Sequence, residues 1–579
     1  MIGALLAVLM LSSCSGGGSG ETDTDAPSTD TNTGERESTS SGGESETSET
    51  ETESETETEA PETKETITEE MLRETYSLAV EKAKYQAKKL YVVDQPSELT
   101  DKVTLAVLQG LTANISDEQI FIKTGSFDQY KDFLAENYGV EIISGGDTWS
   151  LLGKYAEKLD GYILCGNYVD SASIPVAVSL AKQLNAVAVS KKNEDKAKAA
   201  GLTMVLDATD KDDEWLRNSE YFENLNKKIA VEQPISMIPK LADYAAMTGA
   251  YFNFYEGHVQ KQHRNMYKFL DDNAVVFGYN NTLGEFDTVD SFSRENISMI
   301  PSDHAYNLSV LSGFCRDTVK QKREEPEYRG GNVHSLCLIL SDGDNLQWMT
   351  NDFLTSDRWY YSPLRGSFPF GWGVPATAID TVSPILEKLY DDAKTGDEFI
   401  MELSGIGYTF PSRWKDEALD EMTSQLADYM KRSDLKYAEI LDDGGFKKKT
   451  LTHFTSKDGI DGVFYIDYGN YAEYKGKILW SDDKPCVSAR YRLWGGLDDG
   501  TIESISKNIN ALPTDPTSES AYTFIIVHAW SGSDGAGGLK SGGNTLEGVK
   551  SLLEALDDDI EVVTPDEFMT RIKTNLGGK

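Results

Sequence analysis

Short apolar, β-branched runs that end in polar or glycine residues recur from Lys89 onward: KLYVVD, QIFIKT, VEIISG, GYILCG, AVAVS and LTMVLD. Between them lie segments such as FDQYKDFLAENYG and IPVAVSLAKQLN, with apolar residues at helical spacing and glycine or asparagine stops. Strand alternating with helix in this way predicts an open parallel α/β sheet with right-handed crossovers over residues 86–230. No GxGxxG or Walker-type loop follows the first strands, so the phosphate cradles of nucleotide folds are missing. A helix-rich stretch, the strand NAVVFGY and the segment EFDTVDSFSRENISMIPSDHAYNLSVLSGF predict a small bridging α+β region over 231–331.

The pattern then restarts. VHSLCLILSDGDNL, GWGVPATAI, EFIMELSG, YAEILDD, GVFYIDYG, KPCVSARY and AYTFIIVHAW are seven strand-like runs, mostly with helical segments between them, and a helix, a strand and a helix close the chain. Their number and rhythm predict a C-terminal (β/α) barrel of seven or eight strands over 332–579, whose reactive residues belong at the strand ends. Polar residues do gather there: Asp342 and Asp344, Trp372, Glu402, Asp442 and Asp443, Asp467 and Tyr468, Arg490 and Arg492, then His528 and Trp530. Singly, each has a structural explanation, such as a turn, a helix cap or a buried ion pair. Together they converge on one rim.

The beginning of the chain changes the picture of where this fold works. Residues 2–11 are apolar but too few to span a bilayer, which takes roughly 20 residues. They read as the core of a signal peptide over 1–13, although no Lys or Arg precedes it. The following Leu11-Ser12-Ser13-Cys14 resembles the bacterial lipobox, which implies lipidation at Cys14 and an extracytoplasmic, membrane-anchored protein. Residues 14–70 are Ser, Thr, Gly and Glu with hardly an apolar side chain, a composition that cannot offset ordering entropy and predicts a disordered tether. Residues 21–70 hold 18 acidic and 2 basic side chains and so contribute −16 of the net −41. The rest stays acidic, without a basic patch interleaved with aromatics, which argues against nucleic acid as a partner. Oligomeric state leaves no mark. Cys165, Cys315, Cys337 and Cys486 lack metal-type spacing and read as buried free thiols, with a disulfide between two of them open outside the cytoplasm.

The stretch GIGYTFP, directly behind EFIMELS, places two glycines, two aromatics and a proline in seven residues. It resembles the signature of the GxGYxYP family, with Phe410 at the second tyrosine position. LAVLQGLTAN, DHAYNLSVLSG, SDGDN, FGWGVPATA and VHAW also resemble that family, in order, from about Lys89 onward. The family name carries a glycoside hydrolase activity, so the resemblance implies a carbohydrate substrate and no cofactor. Such chemistry needs two carboxyl groups across the scissile bond and aromatic platforms for sugar rings. The expected catalytic pair is Asp344 with Glu402, and Asp342 is an equal rival. Trp372, Tyr408, Arg490, Asp467, His528 and Trp530 are the expected substrate contacts, with Trp494 a further platform. Tyr408 is expected to face the sugar and Phe410 the packed side.

Two other functions use the same rim. Asp342, Asp344 and His528 resemble the general layout of metal-dependent polysaccharide deacetylases, which would place a divalent metal there, but the paired histidines of such enzymes are missing. His258 and His263 are five residues apart, not at the helical metal spacing, and receive no metal. The third possibility is a lipoprotein that captures a glycan without cutting it.

Overall fold

The computed structural model describes residues 79–577 apart from 169, 315 and 324–330. The expected signal peptide, lipidation site Cys14 and acidic tether lie outside these described residues, as does Cys315. Cys165, Cys337 and Cys486 are buried free thiols.

The strands up to Asp207 form two separate three-stranded parallel sheets rather than one. Lys89–Val93 lies between Glu118–Ile122 and Glu141–Ser144, and Gly161–Cys165 lies between Ala186–Ser190 and Met204–Asp207. The helix Leu99–Ile115 divides them, because it is apolar nearly all round and must be covered on every side. Its Thr104 hydroxyl donates to the Ala188 carbonyl of one sheet at 2.8 Å, while Gln109 donates to the Ile120 carbonyl of the other at 2.9 Å. A third parallel sheet follows in the order Ser298–Ile300, Val275–Gly278, Ile229–Glu232 and Tyr251–Asn253. Asn307, in the left-handed region at φ 64°, ties this part to the first sheet. Its side chain accepts from the Ile122 N–H at 2.8 Å and donates to the Ile122 carbonyl at 2.9 Å.

The C-terminal part is built on a ten-stranded sheet. In chain order its strands are β1 (His334–Leu340), β2 (Phe370–Pro375), β3 (Asp397–Glu402), β4 (Tyr437–Asp442), β5 (Gly462–Asp467), β6 (Ile478–Ser481), β7 (Lys484–Ser488), β8 (Tyr491–Leu493), β9 (Tyr522–Val527) and β10 (Ile560–Val563). All pairings are parallel except that of β6 with β7, whose two-residue turn uses Asp482 and Asp483 at φ 50° and 59°. Strands β1 to β4 and β9 are buried on every residue, as parallel strands covered on both faces are, and the acids of β3 and β4 are buried with their apolar neighbours. The sheet runs β7, β5, β4, β3, β2, β1, β9, β8, with β10 beside the start of β1. The fold is thus mixed α/β with parallel sheets and one large curled sheet, which is the part of the barrel expectation that the strand order supports.

Crossover helices cover this sheet. Asp416–Arg432 starts with Asp416 and Glu417 and ends with Lys431 and Arg432, matching the helix dipole at both ends. Arg432 donates to both carboxyl oxygens of Asp380, at 2.9 and 2.6 Å, and Lys82 reaches the same group at 2.8 Å. The Asp380 side chain has no exposed surface. Burial alone would raise its carboxyl, but Arg432 and Lys82 outweigh burial and hold it below its ordinary value. Replacing Asp380 with Asn strips one partner from two cations at a buried site. Denaturant unfolding of Asp380→Asn should show a loss of about 3 kcal/mol or more, and an unchanged midpoint would refute the anchoring role.

Candidate functional site

The turn after β1 runs Ser341-Asp342-Gly343-Asp344-Asn345. Asp342 adopts φ 68°, and the Asn345 side chain donates back to its carbonyl at 3.0 Å. The Ser341 hydroxyl donates to the Asp342 carboxylate, which is half-exposed. Asp344 points inward and is 3% exposed. Burial, then the charge of Asp342, push its carboxyl up to about 8, so it is protonated at neutral pH.

Glu402, the last residue of β3, reaches under this turn. One of its carboxyl oxygens accepts the Gly343 N–H at 2.6 Å, while the other is buried without a hydrogen-bond partner. Two glycines make the approach possible. A Cβ on Gly373 of β2 would overlap the Glu402 carboxyl group, and one on Gly343 would overlap the Gly373 backbone. Below lies Glu439 of β4, fully buried, with neither carboxyl oxygen partnered. Desolvation, followed by the mutual charge of these acids, holds both Glu402 and Glu439 well above the carboxylate range. Protonation is how such a cluster avoids the cost of uncompensated buried charge.

The GIGYTFP loop explains itself by what it grips. Tyr408 N–H donates to the Met299 carbonyl at 2.7 Å, and Met299 N–H returns the bond at 3.0 Å. The Ser293 hydroxyl accepts from Phe410 N–H at 2.9 Å and lies 2.8 Å from the Thr409 hydroxyl. Arg413 donates to Asp290 at 2.7 Å. Phe410 is fully buried between Phe286 and Tyr468, as expected of the packed side. Tyr408 is only 6% exposed, and its hydroxyl donates to Glu285 at 2.8 Å. The loop therefore clasps the helix Glu285–Ser293, with Glu285 at its first position. Glu285 is half-buried, and its carboxyl is raised by burial and by the charge of Asp342, with the Tyr408 bond opposing.

Half-buried ring side chains lie near Asp342. Tyr471 feels the charges of Glu285 and Asp342, and its ring meets Trp494 edge-on at 5.3 Å. Trp494 stacks flat on His528, centroids 3.6 Å apart. His528 Nδ1 lies 2.8 Å from the Ser531 hydroxyl. Burial pushes the His528 imidazole down to about 4, against the charge of Asp342, so it is neutral. Trp530 is half-exposed and packs against Trp348 and Trp359. Asp467 accepts from the N–H groups of Gly469 and Asn470 at 3.1 and 3.4 Å, shaping the loop that carries Tyr468 and Tyr471.

Other predicted residues lie elsewhere. Trp372 is mid-strand, fully buried, and donates to Asp397 at 2.9 Å, so it offers no face to a sugar in this structure. The Arg490 guanidinium turns toward the start of the strands, donating to the Tyr522 carbonyl at 3.2 Å and lying against Gly476. Asp442 is buried and accepts from the Ser412 hydroxyl at 2.8 Å, and Asp443 pairs with Arg413. Sequence reasoning missed Glu285, Glu439 and Tyr471. An acid inside the apolar run YAEILD was a readable signal for Glu439; Glu285 had none, since only the clasp brings it to the rim. Among the described residues no three His, Cys, Asp or Glu side chains are grouped so as to hold a metal ion.

Known proteins give this arrangement a family. Residues 332–573 match the "GxGYxYP putative glycoside hydrolase C-terminal domain", residues 226–313 the "GxGYxYP third domain" and residues 159–225 the "GxGYxYP_N second domain". The crystal structure of a putative hydrolase from Bacteroides thetaiotaomicron VPI-5482, at 1.25 Å resolution, is similar with a TM-score of 0.77 and 29% identity. The match covers 86% of this chain and 98% of that one. No curated protein matches the sequence.

Two measurements test the buried acids. Gly373→Ala should displace Glu402 and free the Gly343 turn, lowering hydrolytic activity by about 100-fold, on the scale of losing one positioned catalytic group; activity within a factor of two would show that the cleared space is dispensable. The second concerns stability. Asp344, Glu398 and Asp243 are raised to about 8, 7 and 6, all chiefly by burial. A raised carboxyl binds more protons folded than unfolded, so its stabilising contribution is full below about pH 4 and is lost as pH rises through the folded value. Melting temperature should therefore fall between pH 5 and 8.5, and less steeply in Asp344→Asn; a flat or rising profile would contradict the protonated cluster.

Proposed function

The chain belongs to the GxGYxYP family, and from that premise we propose that it hydrolyses a glycosidic bond, with Asp342 as the carboxylate that meets the substrate. One observation carries the reading: Asp342 is only partly buried at the end of β1, above an acid that burial keeps protonated, and lies near Tyr471 and His528, between which Trp494 packs. Two like charges this close disfavour each other, and the proton that burial keeps on Asp344 relieves the turn of that repulsion. Glu402 then acts as a positioning residue, holding the turn through Gly343. The aromatic edges and faces fit the apolar faces of sugar rings, and the remaining net acidity disfavours a strongly anionic glycan.

Two wider features belong to the same reading. The large sheet is taken as a (β/α) barrel, supported by the segment that leaves β7 on β5 and continues as β8 on β9, with Ala489 N–H bonded to Tyr465 and Arg490 N–H to Phe524. Lipidation at Cys14, supported by the Leu-Ser-Ser-Cys sequence, would anchor the protein outside the cytoplasm.

The test is a panel of 4-nitrophenyl glycosides and soluble polysaccharides, scored for turnover and for binding. Asp342→Asn should lose about 100-fold or more in kcat/KM with its melting curve intact. Asp344→Asn should keep most activity at pH 7. Wild-type activity should decline as pH rises through about 8, where Asp344 ionises beside Asp342, and Asp344→Asn should lose that component of the decline. Full activity in Asp342→Asn would sink the assignment, and binding without turnover across the panel would replace hydrolysis by glycan capture.

A further inference from the structure

A glycosidase needs a second carboxyl on the far side of the bond, bearing a proton. Asp344 is on the same turn as Asp342 and almost wholly covered, and Glu402 and Glu439 are deeper still. Glu285 differs from all three. It is only partly buried, it comes from a helix that precedes the large sheet in the chain, and it stands within reach of the charges of both Asp342 and Asp344. Its carboxyl is gripped by the signature tyrosine, Tyr408, at 2.8 Å. The grip is built from both sides: the Ser293 bond to Phe410 and the Arg413 bond to Asp290 hold the helix, and the antiparallel exchange between Tyr408 and Met299 holds the strand Ser298–Ile300 that follows it.

We propose that Glu285 is the general acid of the reaction, supplied by the 226–313 part of the chain and positioned against Asp342 by the GIGYTFP loop. The inference rests on the glycosidase reading above and completes its pair of carboxyl groups. In the step, the Glu285 O–H bond breaks and its proton goes to the glycosidic oxygen. That oxygen keeps the electron pair of the breaking bond to the anomeric carbon and leaves as a hydroxyl. Asp342 works on the opposite face, either taking a proton from the water that forms the new C–O bond or forming a glycosyl ester that water then hydrolyses. Both routes balance with the same proton from Glu285.

Leaving-group dependence tests this in the full chain. A 2,4-dinitrophenyl leaving group departs without protonation, whereas a 4-nitrophenyl or sugar leaving group benefits from the acid. Glu285→Gln, which keeps the shape of the side chain, should lose about 100-fold on the 4-nitrophenyl glycoside or polysaccharide that the wild type cleaves, but less than about tenfold on the matching 2,4-dinitrophenyl glycoside. Tyr408→Phe removes a bond that favours the charged form, so the alkaline limb set by Glu285 should move to higher pH. Equal losses on both leaving groups, or none, with wild-type turnover intact, would overturn the role of Glu285 alone. No turnover by the wild type on any member of the panel would overturn the glycosidase reading and this inference with it.

Discussion

The hydrogen bond from the Gly343 N–H to Glu402 organises the centre of the molecule. It joins the ends of two strands that are not neighbours, β1 and β3, across β2, and it exists only because β2 presents Gly373 where any side chain would occupy the space of the carboxyl group. The bond fixes the turn so that Asp342 faces outward and Asp344 inward. It also imposes a cost. Glu402 and Glu439 bring three buried carboxyl oxygens with no partner into an interior where an ionised carboxylate is strongly disfavoured. The chain meets that constraint with protons on Asp344, Glu402 and Glu439 rather than with arginine or lysine.

The signature motif is best understood as a joint. Gly407 lies where a Cβ would strike the Met299 carbonyl, so the glycine is needed for the two backbones to pair. Gly405 lies as closely against the Met422 thioether of the crossover helix. Tyr408 and Phe410 then divide the work: the phenol ring is mostly covered while its hydroxyl reaches a carboxyl, and the phenyl ring fills the space between Phe286 and Tyr468. A phenylalanine at the second aromatic position fits this, because the pocket around Phe410 is formed by rings and its backbone, not a side-chain hydroxyl, makes the polar contact with Ser293.

Much of this was legible in the sequence, for a physical reason that also marks where legibility ends. Parallel strands buried on both faces are predominantly apolar runs, so their ends, and the Asp342 to Asn345 turn, stand out. Side-chain direction does not. Trp372 was placed by its position near a strand end, yet it sits mid-strand and turns into the core toward Asp397. Arg490 begins between β7 and β8, but a long side chain can travel, and its head lies near the start of β9. The division of the early strands into two sheets was hidden as well, since it depends on the helix Leu99–Ile115 being covered from both sides. Glu285 lay furthest from view: in sequence it is an ordinary acid in the first turn of a helix.

That ordinary position is what suits Glu285 to give up a proton. Before transfer the carboxyl must hold its proton, and burial together with the charge of Asp342 favours that. After transfer it must carry a charge in the same place. There, the Tyr408 hydroxyl donates to it, and the unpaired N–H groups at the start of a nine-residue helix favour an anion. The opposing influences act on different protonation states of one group, so strengthening either alone would help one half of the cycle at the expense of the other. A carboxyl held between two such sets of forces is favoured in both of its protonation states by its own surroundings, which is the electrostatic balance that a general acid requires.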